Sequence, residues 1–367
     1  MLGELEKASD IYKPTNYWYL HQQVFIKELN KIGLKDFRKR KYSILETFGA
    51  TDLDFKYGQI DLKSNKYFNN RYVRALPFWD SVISFLNKKL NQYFPIIPPY
   101  NINFMELKEI LYERVNLLAK TSKAKPLSSF SASLIGNPED AFIVGGKNYT
   151  LTILYYYLRY LFCQKNLDFS KVKVITELGC GSGKQVEVLK KLYPDIIFLL
   201  FDIPPQLYVS ESYLSSVFPK DVVTFKETLD METIDFSKKG RIYFFGNWKF
   251  PILKNMKIDL FWNAASFQEM EPDVVSNYLT IVNESAKAIF LQQTMEGKEE
   301  AVKKGEHGVL KATTLKDYQN NLKKFKLVKN RKITYPIWNV SWVQRFLLET
   351  QINKILVILL NERNNFV

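Results

Sequence analysis

The stretch Val174-Ile-Thr-Glu-Leu-Gly-Cys-Gly-Ser-Gly183 decides how the chain is read. Its first half is a short apolar run of strand length. Its second half is a glycine-rich turn, and helix-patterned sequence follows from Gln185. Glycine lets a backbone turn sharply and approach a ligand closely, and a helix start presents free N–H groups to that ligand. The spacing separates two classes of nucleotide ligand. A dinucleotide fingerprint, G-x-G-x-x-G, needs its last glycine at position 184. Position 184 is Lys, and the third glycine comes one place early, at 183. An acidic residue at the strand end before a G-x-G-x-G loop is instead the pattern of enzymes that use S-adenosylmethionine (SAM). Glu177, Gly179, Cys180, Gly181 and Gly183 are therefore candidate cofactor residues.

The next apolar run, Ile196 to Phe201, ends in Asp202, followed by Ile203 and two prolines. A carboxylate at that strand end is placed to accept both hydroxyls of a ribose. Asp202 and Ile203 join the cofactor set. A later run, IDLFWNAASFQEMEPD, gathers Asn263, Ser266, Gln268 and Glu269 just beyond Trp262. Ligands of open α/β sheets bind outside the carboxyl ends of the strands, so Asn263 is a cofactor candidate and Glu269 an acceptor-side candidate.

Working outward, strand-like and helical runs alternate. Strands are expected at Val172–Leu178, Ile196–Phe201, Arg241–Phe245, Ile258–Trp262 and Ala288–Gln292. Helices are expected at Tyr149–Phe162, Gln185–Leu192, Gln206–Val217 and Asp273–Glu284. Two further strands, Lys326–Tyr335 and Trp342–Leu348, should form an antiparallel hairpin on the sheet edge. The pattern is that of an α/β sheet with helices on both faces. The region before residue 140 is mainly helical in pattern, with helices expected at Tyr17–Ile32, Phe78–Phe94 and Phe104–Leu118. Ser, Lys and Ala dominate Lys120–Pro138, which looks like a linker or mobile loop. Two domains follow: residues 1–140, helical and on the acceptor side, and residues 141–367, which bind the cofactor. Gly145 to Tyr149 would sit at their junction as a lid or a cofactor contact.

Composition narrows the chemistry. The chain has 367 residues, a formal net charge of +14, two cysteines and two histidines. Cys163 and Cys180 cannot staple a chain of this length. With His21 and His307 as the whole histidine supply, a multi-histidine metal centre is excluded. The N-terminus lacks the basic-then-apolar pattern of an export signal, and no apolar run reaches the ~20 residues of a membrane span. The longest, Ile196–Phe201 and Ile355–Leu360, are strand-length. A reducing cytoplasm is the expected location. The basic excess lies before and after an acidic stretch, residues 201–300, that holds Asp202 and Glu269. It reads as solvated surface or as a peripheral handle for an anionic acceptor.

The motifs together resemble a known family. DIPP-x-L-Y-x-S-x-x-YL, from Asp202 to Leu214, and N-x-x-S-F-x-E-M, from Asn263 to Met270, are similar to the sugar O-methyltransferase family of class I SAM-dependent methyltransferases. The likeness is strong over about residues 170–290. It extends to Trp18 and the segment Gly33 to Arg38. The resemblance implies a Rossmann-like sheet of class I methyltransferase type, mostly parallel, with SAM as donor and a hydroxyl of a sugar or nucleotide sugar as acceptor. Many class I members place an acidic adenine contact at the end of the third strand; RIYFFGNW offers Asn247 there. A sugar hydroxyl needs its proton removed. Glu269 and His307 are the candidate catalytic residues, whereas His21, inside a helical run, reads as structural. Two alternatives remain: an RNA ribose methyltransferase, which the positive charge motivates, and a non-catalytic SAM-binding partner protein. Base amino-group methylation is disfavoured, because Asn263-Ala-Ala-Ser266 stands where such enzymes carry a Pro-Pro motif. No metal and no nucleic-acid partner are expected, and the sequence leaves the oligomeric state open.

Overall fold

The computed structural model describes residues 1–39, 58–59, 104–120, 122, 124–332, 339–340 and 354–361. The centre is one eight-stranded sheet. Its strands in chain order are β1 (Val174–Leu178), β2 (Ile197–Asp202), β3 (Val222–Val223), β4 (Ile242–Gly246), β5 (Ile258–Ala264), β6 (Ala286–Thr294), β7 (Phe325–Lys332) and β8 (Lys354–Asn361). Across the sheet the order is β7-β8-β6-β5-β1-β2-β4-β3. The six strands from β3 to β6 are parallel, and β8 runs antiparallel to both neighbours. The chain starts in the middle, builds outward through β2 and β4, then returns to the other side of β1 with β5. Leaving aside the two-residue edge strand β3, this is the strand order of the class I methyltransferase sheet. The switch point, where ligands bind in such sheets, lies between β1 and β5.

Period-two burial explains why these runs are strands. In β2, Ile197, Leu199 and Phe201 enter the apolar cluster on one face, and Phe198 and Leu200 the cluster on the other. Both faces must be covered for that pattern to be stable. Helices α3 (Leu151–Gln164), α4 (Lys184–Leu192) and α5 (Pro204–Val217) cover one face through Leu154, Tyr157, Tyr160, Val188, Leu189, Leu207 and Leu214. Helix α6 (Pro272–Ser285) covers the other through Val275, Tyr278, Leu279 and Val282. Local signals set the helix starts. The Thr150 hydroxyl accepts from the Ile153 amide to cap α3, and Pro204-Pro205 opens α5, where missing N–H groups cost nothing.

Two expectations change. The expected antiparallel pair at the sheet edge forms, but the partner of β7 is Lys354–Asn361, and β8 lies between β7 and β6. The expected partner, Trp342–Leu348, lies outside the described residues, as does the helix expected at Phe78–Phe94. The stretch after Lys120 is anchored where described. Leu127, Phe130 and Ala132 are buried, the Ala132 amide donates to the Asn148 carbonyl, and the Ser133 amide donates to Glu187. Its Ser and Lys content reflects packing against polar partners. Gly145 and Gly146, both at positive φ, turn a short hairpin of Phe142–Val144 and Lys147–Tyr149 that leads into α3.

Among the described residues three α-helices precede α3, the short Leu2–Lys7 and two longer ones. α1 (Asn16–Ile32) ends at Gly33, whose φ of +62° stops the helix. α2 (Phe104–Lys120) packs through Tyr112 and Val115 into the same apolar cluster as α3. None of the helices is long and apolar enough to cross a membrane among the described residues.

Candidate functional site

The carboxyl ends of β1, β2, β4 and β5 converge, and the cofactor candidates read from the sequence lie there. At the end of β1 the loop turns through Gly179, Gly181 and Gly183, all at positive φ. Side chains are also excluded by space. A Cβ on Gly179 would lie 2.3 Å from the Ser266 Cβ, and one on Gly183 would lie 2.8 Å from Leu214. The loop from β5 therefore reaches across and rests on the β1 loop. Asp202, at the end of β2, ties the same loop down: the Gly181 amide donates to Oδ2 at 2.9 Å and the Ile203 amide to Oδ1 at 2.8 Å. Each carboxylate oxygen retains acceptor capacity.

Burial sets the electrostatics. Glu177 and Asp202 are both buried. Burial pushes the Glu177 carboxyl up to about 8; the Arg159 guanidinium opposes the rise and Asp202 adds to it. Asp202 rises to about 7, again chiefly through burial, opposed by the two backbone amides, with Glu269 contributing a small rise. Burial thus holds two acids with raised pKa values at adjacent strand ends. Arg159, on α3, is held by Gln292 (Nε to Oε1, 2.7 Å) and lies against the rings of Tyr155 and Tyr156. Burial raises the Cys180 thiol well above its ordinary value, and Cys180 contacts the Ser210 hydroxyl at 3.3 Å. It is a small packed residue rather than a nucleophile.

Asn263 is fully enclosed. Its amide nitrogen donates to the Leu178 carbonyl at 2.9 Å, and its Oδ1 accepts from the Phe267 amide and from Gln293. It bolts β1 to the β5 loop. That loop contains Ala265 at φ +67°, a left-handed conformation that costs a non-glycine residue strain. Asn247, past β4, donates from its amide nitrogen to the Tyr12 carbonyl and the Tyr278 hydroxyl, while its buried Oδ1 has no partner among the described residues. Reading the sequence missed Gln206, in the first turn of α5. It is buried, and neither its amide oxygen nor its nitrogen has a partner among the described residues. A buried unpaired amide costs roughly 1–3 kcal/mol, which a polar ligand would recover. The available signal was a glutamine four residues past Asp202 in an otherwise apolar first turn.

A second group forms beside this pocket. Glu269 closes the β5 loop and pairs with Lys298 at 3.1 Å. The Lys298 ammonium lies 4.4 Å from the centre of the Tyr17 ring and is pushed up to about 12, by Glu269 first among the raising influences, against its own burial. The Tyr17 ring contacts His21 (4.3 Å between centres) and His307 (5.6 Å). His21 and His307 stand 5.5 Å apart with perpendicular rings. Thus both histidines of the chain, from sequence positions nearly three hundred residues apart, meet beside Glu269. The first turn of α1 is strapped in place. Thr15 donates to the Glu269 carbonyl, and Asn16 donates to the Glu306 and Gly308 carbonyls while accepting from the Gly305 amide. His307 is exposed, and His21 is partly buried. Among the described residues no three acidic, His or Cys side chains are grouped to hold a metal ion.

No protein-family model and no curated protein sequence matches the chain. Solved structures align with it at low scores. A pyocyanin biosynthetic protein is 12% identical over 57% of this chain and 56% of its own length, with a TM-score of 0.37. An O-methyltransferase family protein from Burkholderia thailandensis is 11% identical over 57% and 58%, with a TM-score of 0.35. An O-methyltransferase from a trans-AT polyketide synthase of Brevibacillus brevis, in complex with S-adenosyl-L-homocysteine, is 14% identical over 57% and 73%, with a TM-score of 0.38. The alignment spans little more than half the length of the first two.

Proposed function

We propose that the chain is a SAM-dependent O-methyltransferase acting on a hydroxyl of a sugar or sugar-containing small molecule. One observation carries the reading: two buried carboxylates with raised pKa values, Glu177 and Asp202, stand at the strand ends beside the glycine-rich loop at the sheet's switch point. SAM fits the residues present. Asp202 has acceptor capacity for ribose hydroxyls, the glycine loop leaves room for close backbone approach, and the pair of acids answers a positive sulfonium. The orphaned amide of Gln206, the Asn247 Oδ1 and the Ser182 hydroxyl offer further polar contacts. When bound, SAM supplies an electrophilic methyl group, and the sulfur leaves with the bonding electron pair.

The protein's own share is positioning and proton management. The β5 loop, locked by Asn263 and Gln293, sets the acceptor side against the glycine loop. Tyr17, Trp18 and the two imidazoles offer ring faces that suit the apolar face of a pyranose. Glu269 pairs with Lys298 and acts electrostatically there, while His307 lies on the route by which a proton reaches solvent. In this reading residues 1–140 form the acceptor side, and the enzyme works in a reducing cytoplasm with both cysteines free. The test is methyl transfer from isotope-labelled SAM to free hexoses, methyl glycosides and nucleoside-diphosphate sugars, read by mass spectrometry. A methylated sugar supports the reading; SAM binding with no transfer to any of them removes the sugar acceptor.

A further inference from the structure

Resting on that reading, we propose that the proton acceptor is His21, carried into the site by the N-terminal helix α1, with Nε2 as the accepting atom. His21 Nε2 is buried and has no hydrogen-bond partner among the described residues. A buried ring nitrogen without a partner is costly, and an acceptor hydroxyl placed against it would supply the missing bond. The ring cannot swing freely. It is packed against Tyr17 at 4.3 Å, His307 at 5.5 Å and Trp18 at 6.2 Å between ring centres. Its helix is pinned at Thr15 and Asn16 to the Glu269 and Gly305–Gly308 segments.

The charges around it favour a neutral, proton-accepting ring. Burial lowers the His21 pKa first, and His307 and Lys298 lower it further. A depressed pKa weakens the base but keeps its lone pair available at neutral pH, the compromise that proton-transfer groups need. The other two candidates are less suited. Glu269 spends a carboxylate oxygen on Lys298, and His307 faces water. In the proposed step the acceptor O–H bond breaks and its proton joins the Nε2 lone pair. The O–H electron pair forms the new O–C bond as the C–S pair leaves with sulfur. The imidazolium then returns its proton to water by way of the adjoining, exposed His307.

The experiment compares wild-type protein with His21→Ala and His21→Gln, using the panel sugar with the highest turnover. Calorimetry with SAM reports whether each variant is folded and loaded. Expected is a fall in kcat of about 100-fold in both variants with SAM affinity within about twofold. Added imidazole should restore His21→Ala at least several-fold and leave His21→Gln unchanged, which a merely structural residue would not do. A second readout needs no acceptor. The chain has two histidines, so 15N-histidine labelling gives two imidazole signals in the complex with S-adenosylhomocysteine. The one lost in His21→Gln should be neutral at pH 7. Near-wild-type kcat in His21→Ala, or a protonated His21 at pH 7, overturns the proposal and leaves the methyltransferase reading standing. Failure of wild-type protein to bind SAM overturns that reading, and His21's role with it.

Discussion

The two halves of the proposed site, one for cofactor and one for acceptor, are built in different ways. The cofactor half is local: a strand, a turn and a helix start, repeated at β1 and β2, with Asp202 closing a loop only 21 residues away. The acceptor half is assembled from three distant segments, the first turns of α1, the end of the β5 loop and the residues around Lys298 and His307. Its parts are held by side-chain-to-backbone hydrogen bonds and ring contacts rather than by strand ladders. The first half borrows its rigidity from the sheet. The second depends on how α1 docks, so the two should respond separately to mutation.

The largest expected separation comes from Asp202→Ala. It should weaken SAM binding at least ~100-fold, since charge-assisted bonds to a buried carboxylate are worth several kcal/mol together. The two imidazole signals should stay where they are, because the acceptor half is pinned elsewhere. Movement of both halves together would break the comparison. Next is Asn16→Ala, which removes three hydrogen bonds of the α1 strap. Methyl transfer should fall by tenfold or more, the SAM Kd should change by less than about twofold, and the helix should become more open to proteolysis. Stability should drop by roughly 1–3 kcal/mol. An equal loss of SAM affinity would show that the strap serves the cofactor half too.

Gly179→Ala probes the line between the halves. Its Cβ would collide with Ser266, and the positive φ adds strain. The β5 loop must move, so thermal stability should fall by roughly 1–3 kcal/mol, with loss of both SAM binding and transfer. The smallest effect is expected from Glu177→Gln on stability against pH. The folded pKa of Glu177 lies above its ordinary value, at about 8. Its stabilising contribution is therefore complete below the ordinary carboxylate range and is lost as pH rises through about 8. Chemical denaturation should show wild-type stability falling relative to the Gln variant as pH rises from about 5 through about 8. Parallel curves would contradict the raised pKa.

The same division explains what could be read from the sequence. The Gly loop, Glu177 and Asp202 were legible because their geometry is set within a few residues by backbone constraints. Most sheet strands were legible because burial on both faces demands continuous apolar runs. Strand β8 was visible as an apolar run at Ile355–Leu360, but its insertion between β6 and β7 was not, since pairing across the sheet leaves no local mark. Asn247 and Asn263 were correctly located at strand ends. Their hydrogen bonds, to Tyr12 and Tyr278 and to Leu178, Phe267 and Gln293, depend on distant partners. His21 read as structural because its neighbours in sequence are those of an ordinary amphipathic helix. Only docking on the β5 loop brings it to His307. Gln206 escaped because an unpaired amide is visible only once the space around it is filled.

The most direct measurement is the pH dependence of SAM binding, followed by calorimetry from pH 6 to pH 9 for wild-type protein and Glu177→Gln. A cation entering between two acids with raised pKa values must displace their protons. Affinity should rise about tenfold or more across that range with net proton release, and the slope should diminish in Glu177→Gln. Absent binding, or binding with the same slope in both proteins, would contradict the assignment of Glu177 and Asp202 as the acidic pocket for SAM.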